Sequence, residues 1–330
     1  MKRIRTALAL CLCVALTACG AFESETPATT ERALTQIKVG ALLVPDAAPA
    51  HIALKRGFFR DEGLDVTMEP IQAASMALPA LDGGSLQFAL LNYVTVVLST
   101  AEGDAKLVMV ADSYEAAEDT FVVMVRKNSS HKTMLDLKGK KVGVASRKSI
   151  GSLTVASALK TVGLKESDVE LVEFPLPEMA AQLIGGTVDA AWMTQPYIQD
   201  ISKKHGARKL QDMAKDAMAN IPVAGWGTTT AYAKANPHVV AAFQRAIGKA
   251  QQIAAKDRKA VEEVLPTYTK IDAATAATIA LGNFPTTMDP NRLQRIPDAM
   301  LEHDYLTKPF IVKELLAPAP ALAPTPIRDQ

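Results

Sequence analysis

The chain has 330 residues, of which 48% are apolar and 22% are charged, so it can bury one large domain or two of ordinary size. With 36 basic and 35 acidic residues the formal net charge is +1, which gives no reason to expect a nucleic acid or a polybasic membrane contact. The five histidines are scattered without metal-ligand spacing. Neither a metal nor a cofactor is therefore predicted.

The chain begins with a pattern that is typical of exported proteins. Three basic residues among the first five precede the apolar run 7–16, which is shorter than the roughly 20 residues that a membrane span needs. The sequence Leu-Thr-Ala-Cys at 16–19 resembles the lipobox of bacterial lipoproteins. This resemblance implies cleavage before Cys19, a lipid such as palmitate at that residue, and an extracytoplasmic protein anchored to the cell membrane. An ordinary signal peptide that happens to hold a cysteine is the alternative.

Composition separates a signal, a tether and a tail from the folded part of the chain. Residues 1–18 are the predicted signal peptide, and 19–36, rich in Thr, Glu, Ala and Ser, are a predicted tether. Residues 316–330 hold four closely spaced prolines and are predicted to be an extended tail. Cys19 is the only cysteine that remains after cleavage, so no intrachain disulfide is expected.

Between tether and tail, strand-like and helix-like segments alternate. The predicted strands are 37–44, 64–71, 86–91, 106–111, 120–126, 141–145, 169–174 and 188–193. The predicted helices are 51–59, 76–81, 93–101, 150–162, 178–183, 197–204, 237–256, 258–265, 273–281 and 290–302. This alternation predicts an α/β architecture with mostly parallel sheets, followed by a helical part from residue 237 onward.

Two segments of the chain repeat each other in residue type. Leu81–Asn92 and Leu183–Thr194 each contain a helix end, a Gly-Gly stop, a short strand and a polar turn. Chance recurrence of this pattern within an α/β protein is one explanation. The other is a pair of similar lobes that place Asn92 and Thr194 at the carboxyl ends of strands, where open α/β sheets bind ligands. The second explanation predicts a cleft between two lobes.

Four motifs resemble the solute-binding proteins for nitrate, sulfonates and taurine, a family that also includes aminopyrimidine-binding members. They are Lys-Arg-Gly-Phe-Phe-Arg-Asp-Glu-Gly-Leu-Asp-Val at 55–66, Asp-Leu-Lys-Gly-Lys-Lys-Val-Gly-Val at 136–144, Gly-Thr-Val-Asp-Ala-Ala at 186–191 followed by Gln195-Pro196, and the segment 284–300. The resemblance covers about residues 37–315. One departure is Gln87, where the family usually has an aspartate.

This resemblance implies a two-lobed periplasmic-binding-protein fold of type II, with two hinge crossings near 121–125 and 223–228. Lobe 1 would comprise 37–123 and 228–315, and lobe 2 would comprise 124–227. The implied function is the solute-binding component of an ABC importer, a monomer that delivers its solute to the permease and its ATPase. A sulfonate, taurine or nitrate-like anion is the first expectation for the solute. An aminopyrimidine or another small heteroaromatic is the alternative, as is a non-transport sensory role.

An enzyme is not expected, although proteins of similar fold include lyases and a pyrimidine-precursor synthase. The export signal disfavours a cytosolic lyase, and the mature chain lacks the cysteine-rich motif of the synthase. No serine-nucleophile elbow or phosphate-binding loop occurs in the sequence.

The resemblance also implies a pocket built from loops at strand ends. In this chain the corresponding residues are Pro49, His51, Ala74, Ser75, Asn92, Tyr93, Ser146, Ser149, Ile150, Gly151, Trp192, Gln195, Tyr197 and Trp226. The serines open a helix whose N-terminus can hold an anionic group, or they serve only as helix caps. His51 has a packed histidine as its alternative, and Trp192 a place in the core. The glycines on either side of Trp226 suggest that another group approaches the backbone closely.

Overall fold

A computed structural model describes residues 33–320, with the backbone but not the side chains of Ala74 and Ser75. The predicted signal peptide, Cys19, nearly all of the predicted tether and the tail beyond residue 320 lie outside the described residues. In the part described, no helix is both long and apolar enough to span a membrane.

The strands and helices follow one another in the alternation that the sequence predicts. The strands are β1 Thr35–Ala41, β2 Leu64–Pro70, β3 Phe88–Asn92, β4 Leu107–Glu115, β5 Phe121–Val125, β6 Lys141–Val144, β7 Glu170–Glu173, β8 Ala190–Thr194, β9 Arg208–Asp212 and β10 Pro222–Thr229. The helices are α1 Ala48–Lys55, α2 Phe58–Asp61, α3 Ala74–Asp82, α4 Tyr93–Ala101, α5 Ile150–Thr161, α6 Leu176–Ile184, α7 Tyr197–His205, α8 Thr230–Ala235, α9 Pro237–Lys256, α10 Arg258–Tyr268, α11 Ala273–Ala276 and α12 Pro290–Glu302.

The strands form two five-stranded sheets with equivalent topology. The first sheet has the order β2-β1-β3-β10-β4, and the second has the order β7-β6-β8-β5-β9. In each sheet the fourth strand, β10 or β5, pairs antiparallel with both neighbours, and the pairs among the first three strands are parallel. Four of five strands thus share one direction, so the sheets are mixed. The predicted two-lobed α/β fold is confirmed.

The chain passes between the sheets twice. It leaves the first sheet at Glu115 and enters the second at Phe121, then leaves at Asp212 and returns at Pro222. The strand pairing therefore puts β5 wholly in the second sheet and β10 wholly in the first. The connecting segments lie a few residues before the predicted lobe boundaries at 123/124 and 227/228, which remain a prediction.

The repeated segments occupy equivalent places in the two sheets. Each spans the end of a helix, α3 or α6, a glycine with positive φ, and the central strand, β3 or β8. Gln87 Oε1 accepts a hydrogen bond from the Lys38 backbone N–H at 2.7 Å, as Asp189 Oδ2 does from Lys141 N–H at 3.0 Å. The amide of Gln87 thus performs the role of the aspartate in the second sheet.

The C-terminal part of the described chain packs its helices on the first sheet. Gln244, in α9, donates hydrogen bonds to the backbone oxygens of Val110 and Pro318, at 2.9 and 3.0 Å. Leu316 forms an isolated parallel bridge with Met109 of β4. The first residues of the predicted tail are therefore attached to the first sheet rather than extended into solvent.

Candidate functional site

The carboxyl ends of the central strands of both sheets surround a cavity of about 70 Å³. The first sheet and its loops contribute Leu42, Val44, Asp46, Ala73, Leu90, Asn92, Val223 and Ala224. The second sheet and its loops contribute Phe121, Ala145, Ser146, Ser149, Ile150, Gly151, Leu176, Trp192 and Thr194. Six predicted pocket residues are thus brought together here: Asn92, Ser146, Ser149, Ile150, Gly151 and Trp192.

Trp192 forms an aromatic wall of this cavity together with Phe121. Their ring centroids lie 5.1 Å apart with an interplanar angle of 38°. The indole N–H of Trp192 donates to Thr154 Oγ1 at 3.1 Å, so the polar edge of the ring is already satisfied. A Cβ atom at Gly151 would lie only 3.0 Å from Trp192 Cδ2, which shows how closely α5 approaches the indole. The ring is held in place and presents apolar surface to the cavity.

The N-terminus of α5 supplies hydrogen-bond donors to the same cavity. Ser149 and Ser152 form a capping box, in which Ser152 Oγ accepts from Ser149 N–H at 2.8 Å. The Ser149 hydroxyl donates to the Ser146 backbone oxygen at 2.7 Å. The serine side chains therefore act as helix caps. The N–H groups of Ile150 and Gly151 have no acceptor within the helix, because they open its first turn.

Asp46 is the carboxylic acid in the cavity wall, and it was not among the predicted pocket residues. It lies in the short 3₁₀ turn 45–47 that follows β1, and only 6% of its surface is exposed. Its Oδ1 atom has no hydrogen-bond partner among the residues described. Burial raises the pKa of Asp46 to about 7. The cavity wall therefore holds a buried carboxyl oxygen, Asp46 Oδ1, that can accept a hydrogen bond.

Asn92 also lines the cavity, but most of its side chain is engaged in capping α4. Its Oδ1 accepts from Thr95 N–H and its Nδ2 donates to Thr95 Oγ1, both at 2.9 Å. One amide hydrogen of Asn92 is left without a protein acceptor in this geometry.

The cavity wall contains no Lys, Arg or His among its described residues. The two basic residues nearest in sequence to α5 are bound elsewhere. The Arg147 guanidinium donates to the Leu171 backbone oxygen at 2.7 Å, and Lys148 Nζ lies 3.6 Å from the Glu102 carboxylate. An anion in the cavity would therefore meet the end of α5 but no basic side chain.

Tyr197 lies at a second, wider pocket of about 500 Å³ that adjoins the cavity. The two share Leu42, Val44 and Leu176. Lys204 and Lys270 line this wider pocket, and Lys204 is paired with Asp200 at 2.7 Å. The wider pocket thus provides an approach to the cavity between the two sheets.

Two residues predicted to line the site from the first helix lie outside the cavity wall. Pro49 is buried within α1. The ring of His51 stacks on Tyr268, with centroids 3.7 Å apart and planes 2° from parallel. Burial lowers the pKa of His51 to about 4, so this histidine is neutral at physiological pH. His51 is therefore packed against Tyr268, in line with the alternative given for it, and does not line the cavity.

Three more predicted residues are buried elsewhere. The Tyr93 hydroxyl donates to Asp112 at 3.0 Å, and Gln195 Nε2 donates to the Asp119 backbone oxygen at 3.3 Å. Trp226 is fully buried and packs edge-on against Phe243, with centroids 5.9 Å apart. The side chains of Ala74 and Ser75, also predicted here, lie outside what the structure describes.

The glycines that flank Trp226 allow other groups to approach the backbone closely, as the sequence suggested. A Cβ atom at Gly225 would lie 2.6 Å from the Tyr93 hydroxyl, and one at Gly227 would lie 2.9 Å from Leu91 Cδ1. The backbone oxygen of Ala111 would also lie 2.7 Å from the Cβ atom at Gly225, so the close approach is made by the protein's own core and these glycines carry no signal of a ligand.

Several curated relatives of the chain are named as binding proteins. A relative in Brucella abortus, named only as a binding protein, is 30% identical over 154 residues, which are 47% of this chain and 46% of the relative. The chain thus spans about half the length of the curated relatives that it matches first. In the part that the structure describes, no cluster of three or more potential ligand side chains could hold a metal ion.

Several solved structures share the fold. The alkanesulfonate-binding protein SsuA of Xanthomonas axonopodis has a TM-score of 0.72 at 18% identity, with 86% of this chain and 98% of that chain covered. The nitrate-binding protein NrtA of Synechocystis has a TM-score of 0.70 at 15% identity, with 86% of each chain covered. The desulfurization enzyme DSZB has a TM-score of 0.63 at 16% identity, with 86% of this chain and 96% of that chain covered. At these identities the likeness shows the fold alone.

The family is shown by a longer match. The family model described as NMT1/THI5 like matches residues 44–260, which is more than half of the chain and includes both sides of the cavity. The expected resemblance to nitrate- and sulfonate-binding proteins is confirmed by these relatives and structures. The chain therefore belongs to the NMT1/THI5-like family.

Proposed function

We propose that this protein is the extracytoplasmic solute-binding component of an ABC importer, and that it encloses a small nitrogen heteroaromatic between its two sheets. The observation that carries the choice of solute is the composition of the cavity wall. Among the described residues, it combines the rings of Trp192 and Phe121 with one buried carboxyl group and no basic side chain. This favours the heteroaromatic alternative over the anion that was the first expectation.

The cavity is poorly suited to an anion such as nitrate or a simple alkanesulfonate. A buried anion needs an opposite charge or several hydrogen-bond donors to offset its lost hydration. The N-terminus of α5 offers about half a positive charge. Asp46 in the opposite wall would repel the anion whenever it is ionised, and repulsion between like charges is strong where water is excluded. An anion would thus gain less here than a neutral or basic ring.

A flat heteroaromatic ring matches the groups that surround the cavity. Stacking of a base on an aromatic side chain is worth about 1–3 kcal/mol. The free N–H groups at the start of α5 can donate to a ring nitrogen, while Asp46 can accept from a donor on the ring. Aminopyrimidines carry both kinds of group on one small ring.

Capture of the solute is proposed to close the two sheets on each other. A solute in the cavity touches walls from both sheets, so it binds a closed arrangement better than an open one. Exposed contacts such as Lys148–Glu102 also join the two sides, but surface ion pairs contribute only about 0–1 kcal/mol. The solute would therefore supply most of the free energy that favours closure, and the closed form would dock on the permease.

Titration with defined probes tests the choice of solute and the place where it binds. The sequence holds only two tryptophans, so Trp226→Phe leaves Trp192 as the sole reporter and Trp192→Phe leaves Trp226. We expect 4-aminopyrimidine to change the fluorescence of Trp226→Phe and of the parent, and to leave that of Trp192→Phe unaltered. Nitrate, methanesulfonate and taurine are the comparison probes. Binding of nitrate or methanesulfonate, but of no heteroaromatic, would contradict the proposed solute.

We further propose that a lipid on Cys19 holds the protein at the membrane. Cys19→Ala should move the protein from the membrane fraction to the soluble exported fraction or leave its signal uncleaved. Cys13→Ala is the matched control, because Cys13 leaves with the signal peptide and should not alter the distribution. Fractionation and metabolic labelling with palmitate provide the measurement. Undiminished labelling of Cys19→Ala would rule out this anchor.

A further inference from the structure

Asp46 is set apart from the other acidic residues of the described chain by its combination of burial and lack of partners. Its carboxyl group is almost fully buried, it lines the cavity, and its Oδ1 atom accepts no hydrogen bond from any described residue. A buried acceptor without a partner is unfavourable for the free protein. Such a group is expected to have a role that compensates for this cost.

The surrounding protein groups are already engaged with other partners. Tyr114 and Tyr268 are the ionisable side chains that interact with Asp46. The Tyr268 hydroxyl donates to the Val44 backbone oxygen at 3.1 Å, and the Tyr114 hydroxyl accepts from the Gly282 N–H. Neither hydroxyl donates to Asp46 Oδ1, so this oxygen has no partner among the described residues, although the carboxyl group accepts a hydrogen bond from the backbone N–H of Asp46 itself.

The carboxyl group is also not required to hold its own turn. The turn is fastened to β4 by the Ser113 hydroxyl, which donates to the backbone oxygen of Asp46 at 2.6 Å. That bond uses no atom of the Asp46 side chain. The local hydrogen bond from the Asp46 backbone N–H engages the carboxyl group only in part, so it does not explain the buried Oδ1 atom, which has no partner among the described residues.

We propose that Asp46 selects the solute by accepting hydrogen bonds from an amino group or a protonated nitrogen that the solute carries. This inference rests on the proposed function, in that the cavity is taken to be the solute site. A solute with such a donor satisfies the carboxyl group, whereas one without it leaves the group buried and unpaired. Sites built to bond a polar group discriminate strongly against analogues that lack it.

Calorimetric titration of two matched ligands tests the proposal. The probes are 4-aminopyrimidine and 4-methylpyrimidine, which are similar in shape and differ in the donor. The full-length protein should bind the amino compound at least 10-fold more tightly. Asp46→Leu keeps the branching of the side chain but removes the acceptor, so it should bring this ratio close to one. Asp46→Asn is the second variant, because it keeps a neutral acceptor and should retain part of the preference.

The control variant is Asp82→Asn, which removes a carboxylate from the exposed end of α3, outside the cavity wall. It should leave the ratio unchanged.

Equal ratios in the parent and in Asp46→Leu would overturn the role of Asp46 while leaving a heteroaromatic solute in place. Taurine tests the role of Asp46 independently of the heteroaromatic solute, because its ammonium group is a cationic donor and it has no ring. If taurine binds in an Asp46-dependent manner and neither pyrimidine binds, the role of Asp46 stands and the heteroaromatic solute is wrong. If no probe binds the parent, both proposals fail.

Discussion

Asp46→Asn should increase the free energy of unfolding of the solute-free protein by about 2–4 kcal/mol at pH 8. Burial raises the pKa of Asp46 to about 7 in the folded protein, whereas an aspartate in an unfolded chain titrates near 3.9. Between these values the folded state retains a proton that the unfolded state has released, so stability falls as the pH rises. Asparagine cannot ionise and avoids this loss. The upper figure corresponds to about three pKa units at about 1.36 kcal/mol each.

The pH dependence of this gain distinguishes it from a simple packing effect. At pH 4 Asp46 is protonated in the folded protein and about half protonated in the unfolded chain, so the gain should fall to about 0.5 kcal/mol. It should grow from pH 4 to 7 and then level off. Tyr114 and Tyr268, which interact with Asp46, do not titrate in this window because burial raises their pKa values. His51 and Asp112 have pKa values of about 4 and about 6, but both residues are present in the parent and in the variant, so their titration cancels in the comparison. Urea unfolding at pH 4.5, 6 and 8 provides the measurement. An equal gain at all three values would contradict this origin, and Asp82→Asn should show none.

A second large effect is expected from Trp226→Ala, which should lower the free energy of unfolding by about 3–5 kcal/mol without removing any wall of the cavity. Trp226 is among the largest fully buried side chains, and it packs against Phe243 of α9. Truncation of a buried tryptophan leaves an empty space that its neighbours fill only in part. The folded fraction should bind solute as the parent does.

Trp192→Ala is the matched comparison, since it removes the same side chain from the wall of the cavity. It should weaken binding at least 10-fold, because the stacking surface is lost. Trp226→Phe, which keeps a ring in the core, should recover much of the stability and retain binding. Chemical unfolding and calorimetric titration of the three variants give the two readouts. Weakened binding with little loss of stability in Trp226→Ala would instead place this residue at the solute site.

Two of the long helices, α9 and α12, were predictable from local signals in the sequence, whereas the predicted helix 51–59 is divided between α1 and α2 and the predicted helix 273–281 ends at Ala276. The predicted bounds of α9 and α12 agree with the structure, because Pro237 and Pro290 stand at the first helical positions and Asp289 caps the second helix through Asn291 N–H. Proline at a helix start and an acidic cap are properties of neighbouring residues. No knowledge of the rest of the fold is needed to recognise them.

Strands β9 and β10 are absent from the strands predicted from the sequence. Both are stabilised by pairing with strands that are distant in the sequence. β9, Arg-Lys-Leu-Gln-Asp, lies at the edge of the second sheet and has no strong apolar alternation. β10 contains two glycines, which usually weaken a strand, but it is paired on both sides by β3 and β4. Only the assembled sheets explain why these segments are extended.

The site was predictable at the level of loops but not of every side chain. The segment 45–51 after β1 was identified, yet the residue in the cavity wall is Asp46 and not His51. The short 3₁₀ turn at 45–47 orients the Asp46 side chain toward the cavity, and no feature of the sequence specifies the orientation of this turn. In the second sheet the serine segment before α5 and Trp192 were both found, because the chain there leads from a strand directly into a helix N-terminus.

The position of β10 affects the order in which the protein can assemble. The strands of the second sheet form one continuous stretch, 121–212, whereas the first sheet needs a strand that is synthesised only after that stretch is complete. Until residue 229 has emerged, β3 and β4 lack the neighbour that lies between them, and unpaired strand edges are sites of wrong association. We therefore expect nascent or partly exported chains to require protection of these edges, and the second sheet to form its native pairing first.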